Sequence, residues 1–208
     1  MVNSFKEKAE AGEEFFKNMF KKPTWCNTQE IPEVINLFPR MIDEEMNILL
    51  KAEVTEEELE KVVYSYQKGK ILGPDGLTIE FFQGFYDLVK EYLLKIVQES
   101  QRARKVLGAL NSTFLALIPK KQNPTSFEEF RPISCWNVVY KLIAKTISLI
   151  LKPILSKVIT QEQFGFLENR QIHNAVSLAQ ETIHTIKLSK NPSFSLKLDL
   201  YKAYDRVN

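Results

Sequence analysis

Apolar side chains recur at helical spacing in five stretches of the chain and alternate with polar ones in three, which predicts a helix-dominated α+β fold. Residues 1–20 read as a polar helix whose apolar set is Phe5, Phe15, Phe16, Met19 and Phe20. Pro23, Pro32 and Pro39 mark residues 21–40 as a linker or extended segment. Thr55-Glu-Glu-Glu58 is a capping box that opens a helix striped with Leu59, Val62, Val63 and Tyr66. Gly73-Pro-Asp-Gly76 predicts a tight turn. One long helix or two follow, with Phe81, Phe82, Phe85, Leu88, Val89, Tyr92, Leu93, Ile96 and Val97 at helical period.

The second half alternates the two patterns. Residues 113–118 read as a strand ended by Pro119, and residues 131–134 as a second strand that pairs with it as a hairpin across a polar loop. Residues 137–156 are apolar nearly all round and predict a buried helix. Ala175, Leu178, Ala179, Thr182, Ile183 and Ile186 mark another helix. From Phe194 to Leu200 the strand alternation returns, with Phe194, Leu196, Leu198 and Leu200 on one face and Ser195, Lys197 and Asp199 on the other.

Composition narrows the class. The chain has 208 residues and is 44% hydrophobic, enough for one good core or two small ones. The net charge of +2 hides an asymmetry. Residues 1–60 hold seven Lys/Arg against fourteen Asp/Glu, whereas residues 61–208 hold twenty-one against twelve. A basic body behind an acidic head suits a polyanionic partner. The alternative is a solvated surface of mixed charge, since the cations are dispersed. Cys26 and Cys135 show no metal-ligand spacing and predict a reducing, intracellular setting, nucleus or cytoplasm, with no signal peptide at the start. The apolar run 146–151 lies between Lys145 and Lys152 and is too short to span a bilayer, so no membrane partner is expected.

Candidate chemistry is sparse residue by residue. Gly73-Pro-Asp-Gly76 lacks the spacing and the terminal Lys-Ser/Thr of a phosphate loop. Lys120 and Arg131 stand on the two arms of the hairpin, where they can hold phosphates or simply be solvated. His173 and His184 have no Glu or Cys at ligand spacing and read as surface residues. Asp199, on the polar face of a strand end, is placed to hold a metal ion or to be an ordinary strand-end carboxylate. A lone carboxylate makes a poor magnesium site.

The series is more specific than its parts. It runs Gly73-Pro-Asp-Gly76, Ile118-Pro-Lys-Lys121, Phe130-Arg-Pro-Ile-Ser134, Asn137-Val-Val-Tyr-Lys141, Gln163-Phe-Gly-Phe166 and Arg170-Gln-Ile172, then Leu198-Asp199 and Ala203-Tyr-Asp-Arg-Val207. Over residues 55–208 this resembles the first part of the reverse transcriptase domain of LINE-type, non-LTR retrotransposons, most like those of plants. Residues 1–54 then precede the polymerase. The resemblance implies an incomplete fingers and palm of a right-hand polymerase, acting on an RNA template, a DNA primer and dNTPs with Mg2+.

The resemblance also implies residue roles. Asp199 and the Leu200 carbonyl would bind magnesium, with Asp199 the catalytic carboxylate. Lys120 and Arg131 would hold the incoming triphosphate, and Tyr204 would gate against the sugar 2′-hydroxyl. Gln163, Gly165 and Arg170 would lie along the template. Asp205 matches a structural Asp of the family. Leu72, Asn169 and Asn174 stand where the family usually has Pro, Gly and often Asp. The two-Asp turn and the thumb do not occur within residues 1–208, so these residues alone are expected not to polymerise. A non-catalytic nucleic-acid-binding remnant of a retrotransposon is the alternative. Oligomeric state is not legible in the sequence.

Overall fold

The structure is a computed structural model that describes residues 4–21, 36, 40–70, 72–167, 169–189, 192, 194 and 196–198. The chain divides into two compact units. One comprises Met1–Pro39, Pro119–Phe130 and Val176–Asn208, and the other Arg40–Ile118 and Arg131–Ala175.

In the first unit, helix α1 (Phe5–Met19) starts where Ser4 accepts a bond from the Glu7 N–H and the Glu7 carboxylate accepts one from the Ser4 N–H. Its C-terminal half forms a ring cluster. Phe16 is buried, Phe15 and Phe16 meet edge to face at 5.1 Å, and Phe127 packs on both. Gly12 makes room for that contact, because a Cβ there would lie 3.2 Å from the Phe127 ring.

The second unit holds the main core. Helices α2 (Glu44–Lys51), α3 (Glu56–Tyr64), α4 (Ile79–Gly84) and α5 (Tyr86–Ala103) precede a two-stranded sheet, β1 (Thr113–Pro119) paired with β2 (Phe130–Trp136). Helix α6 (Val138–Val158) follows, then the start of α7 (Ile172–Ser189). The capping box at Thr55 and Glu58 forms as its residues dictate. It starts α3, whose Leu59, Val62 and Val63 are fully buried against Leu142 and Ile143 of α6 and Phe82, Tyr86, Leu93 and Val97 of α4 and α5. Polar ties fix the approach to α3: Gln98 donates to the Val54 carbonyl at 2.9 Å, and Arg102 pairs with Glu53 at 2.7 Å.

Two expectations need correction, and one helix was not expected. Helix α2 has no counterpart in the hydrophobic pattern. It is eight residues long with none buried, and its start is set by Asp43, which accepts from the Met46 N–H at 2.7 Å. Helix α6 is not buried all round. Val138, Val139, Leu142, Ile143, Thr146 and Ile154 face the core, but Ile147, Leu149 and Leu155 are exposed, because α2 and α3 leave part of the helix uncovered among the described residues. The strand expected over 194–200 is absent at the described positions 194 and 196–198. Phe194, Leu196 and Leu198 are 90%, 72% and 80% exposed there. Among the described residues the one sheet is the β1–β2 pair, so no ladder partner holds this segment extended.

Candidate nucleic-acid interface

The hairpin forms where alternation and the prolines place it, one residue longer than expected at each inner end and two longer at the outer end of β2. Within the first unit its connecting loop is organised by Glu129. The Glu129 carboxylate meets the Lys121 ammonium at 2.6 Å and accepts from the Thr125 N–H at 2.6 Å, while the Glu129 N–H donates to the Ser126 carbonyl. The Lys121 ammonium, then the Thr125 N–H, hold the Glu129 carboxyl well below the usual 4.5, at about 2. Lys120 closes the loop from the other side, its N–H donating to the Glu129 carbonyl and its ammonium to the Glu128 carbonyl, both at 2.7 Å. Three donors sit on an exposed lysine ammonium, so one carbonyl bond leaves capacity for a phosphate oxygen. Arg131, the second residue of β2 and part of the second unit, is exposed, and its guanidinium makes no hydrogen bond or ion pair among the described residues. Lys120 and Arg131 fall in different units, so the structure describes each on its own.

In the second unit the Gly73–Gly76 turn is locked by a residue that sequence reading left unassigned. Gly76 N–H donates to the Gly73 carbonyl at 3.1 Å, with Gly76 at φ 69°, a left-handed conformation suited to glycine. Asn137, 3% exposed, sits against the turn. Its Oδ1 accepts from the Asp75 N–H at 3.1 Å and its Nδ2 donates to the Ala109 carbonyl at 3.2 Å. A Cβ on Gly73 would come within 2.5 Å of Asn137 backbone and side-chain atoms. Gly73 is therefore glycine for space, and Asn137 ties the turn, the 107–111 loop and the start of α6 together.

The residues expected to lie along the template form a second ordered element. Arg170 donates to the carbonyls of Ile159 and Gln163, each at 2.9 Å, to Ser156 at 3.5 Å, and to Thr160. These include the last carbonyls of α6, so the guanidinium caps the helix and pins the following turn. Gln163 is exposed and its amide donates to the Gly165 carbonyl at 3.3 Å. Asn169 has φ 60°, a left-handed backbone that asparagine tolerates. Glycine adopts that conformation at least cost.

Asp199, Leu200 and Tyr204 lie outside the described residues, as do Asp205 and Cys26. Among the described residues no three His, Cys, Asp or Glu side chains gather closely enough to hold a metal ion, and no helix is long and apolar enough to cross a membrane. Among the described residues the structure thus orders a two-stranded hairpin with its cations and a turn pinned by Arg170.

Comparison with known proteins gives the family context. Residues 118–208 match the family model of the reverse transcriptase (RNA-dependent DNA polymerase). The chain is also 30% identical over 194 residues to the Transposon TX1 uncharacterized 149 kDa protein of Xenopus laevis. That alignment covers 93% of this chain and 15% of the relative, so the chain spans a small part of the relative's length. The chain resembles the reverse transcriptase of a non-LTR retrotransposon.

Proposed function

We propose that residues 55–208 are the amino-terminal part of a reverse transcriptase domain of LINE type, most like those of plants, comprising fingers and the first palm segment, with residues 1–54 preceding it. The observation that carries the reading is the reverse transcriptase match over residues 118–208. It begins at the hairpin that bears Lys120 and Arg131.

The chain's own residues then act by charge and position. Lys120 supplies a point charge and Arg131 a bidentate fork for a triphosphate, where neutralising phosphate charge and fixing geometry provide most of the catalysis. Tyr204 sets a steric limit at the sugar. Gln163 and Gly165 line the template, and Arg170 serves by shaping their turn, since its guanidinium is committed to four carbonyls. Asp199 and the Leu200 carbonyl would ligate magnesium, which when bound supplies activation of the primer hydroxyl and charge stabilisation at the phosphates. RNA template, DNA primer and dNTP are the partners on this reading.

The basic balance of residues 61–208 predicts affinity for a polynucleotide dominated by phosphate contacts. The expected outcome of a titration with an RNA–DNA hybrid is binding that weakens steeply from low to physiological salt and ignores sequence. Substituting Lys120→Ala and Arg131→Ala together should reduce the slope. Affinity that stays flat across that salt range rejects the reading.

A further inference from the structure

Helix α6 carries a pattern that the roles above do not use. Its four cations, Lys141, Lys145, Lys152 and Lys157, are accompanied by no Asp or Glu anywhere from Val138 to Val158. Lys141, Lys145, Ser148 and Lys152 stand at i, i+4, i+7 and i+11, so they share one face and form a stripe about 16 Å long. All three lysines are half-buried. Tyr66 supports the stripe at one end: its hydroxyl donates to the Lys141 carbonyl at 2.8 Å, and the Lys145 ammonium lies 5.3 Å from the centre of its ring.

Beside the stripe lies a depression of about 320 Å³ with an apolar floor of Ile147, Leu151 and Leu155, Lys152 on its rim, and Phe166 and Leu167 as its far wall. Phe166 is fully exposed and has φ 64°, an unfavourable backbone for a bulky residue. The turn holds it there because Arg170 fixes the chain on its amino-terminal side through Ile159, Thr160 and Gln163. A fully solvated ring kept in a strained conformation contributes little to the core. Its position next to an apolar floor and a row of cations suits a flat aromatic ligand on an anionic backbone.

We infer that the Lys141–Lys145–Lys152 face of α6 and the Phe166 ring form a binding surface for single-stranded polynucleotide, in which the lysines take successive phosphates and one unstacked base lies on Phe166 over the depression. This rests on the nucleic-acid reading above and assigns residues that the family resemblance did not. Charge decides between a polynucleotide and a protein segment as occupant: a row of lysines broken only by Ser148, on a helix without acids, complements a phosphate backbone and disfavours a segment of mixed charge.

The test uses the 208-residue chain with a labelled single-stranded DNA and a matched strand lacking bases, each read by anisotropy over a salt series. Phe166→Ala should weaken binding to the ordinary strand about tenfold. It should leave the salt slope unchanged and have no effect on the abasic strand. Phe166→Trp should retain affinity and show quenched fluorescence on binding. Phe166→Gly should keep or raise the thermal midpoint, because glycine relieves the left-handed backbone, yet bind as weakly as the alanine variant. Lys145→Gln with Lys152→Gln should lower the slope of log K against log salt by roughly 1.4, about 0.7 per phosphate contact for single strands. Folded Phe166 variants that bind the ordinary strand like wild type overturn the inference while the nucleic-acid reading stands. So does self-association that Phe166→Ala abolishes with DNA binding intact, since the surface then serves a protein. Failure of the wild-type chain to bind any strand removes both.

Discussion

Asn137 shows how one buried amide can organise a site that no local pattern reveals. Its carbonyl oxygen and amide nitrogen reach two separate loops, and it lies nearly sealed from water. Alanine there leaves the Asp75 N–H and the Ala109 carbonyl without partners and opens a void against Gly73. The expected cost is about 1–3 kcal/mol, the range for a buried polar group left unsatisfied. Urea unfolding checks this, and a change below a few tenths of a kcal/mol would show that water replaces the amide. Glu129 gives a prediction in pH. Its folded pKa is depressed to about 2, so the loop's stabilisation is complete above the ordinary value near 4.5 and is lost as pH falls from there through 2. The Thr125 amide resonance should therefore titrate with a midpoint near 2, and a midpoint at 4 or above would mean the Lys121–Glu129–Thr125 arrangement does not persist in solution. Neither residue stood out in the sequence. Asn137 reads as the first residue of a motif, and its contacts lie 62 and 28 positions away. Glu129 reads as one more acid in a polar loop.

At the scale of elements, the legible parts are those set by neighbours in sequence. Thr55 and Glu58 specify the start of α3 within one turn, and the Thr113–Ile118 alternation with Phe130–Ser134 specifies the hairpin. The illegible parts depend on distant cover. Ile147 and Leu155 are as apolar as Leu142, so composition alone makes α6 look buried on all sides. The positions of α2 and α3 decide which of them meets the core. The 194–198 segment has the alternation of a strand, but among the described residues it lacks a ladder partner. Helix α2 is the converse, a short element set by the Asp43 cap and too brief to show a period. Leu142 tests the assignment of the core. It is fully buried between α6 and α3, and Leu142→Ala should destabilise by about 2–5 kcal/mol. Leu155→Ala, on the exposed side, should change stability by less than about 0.5 kcal/mol. Equal losses at the two positions in chemical denaturation would place the core elsewhere.

For the whole molecule, the acidic first sixty residues and the basic remainder give a long-range field that, on the proposed reading, would draw polynucleotide toward the second part of the chain. Catalysis asks for more than attraction. The family resemblance assigns the magnesium ions three carboxylates, and residues 1–208 contain one of them, Asp199. Asp205 follows six positions later, within the motif that the family uses structurally, so it does not readily substitute. Two divalent ions carry a charge of +4, and a single carboxylate leaves them to be held almost wholly by the triphosphate. On the proposed reading Lys120 and Arg131 would bind that triphosphate without aligning it on a primer end, and small misplacement of reacting groups already costs about 100-fold. The 208 residues assayed by themselves are therefore expected to bind template and nucleotide but not to extend a primer. Incubation with an RNA template, a DNA primer, magnesium and all four dNTPs should leave the primer length unchanged. Extension that vanishes in Asp199→Ala would refute this, and would mean that another carboxylate within these residues, or a second copy of the chain, completes the metal site.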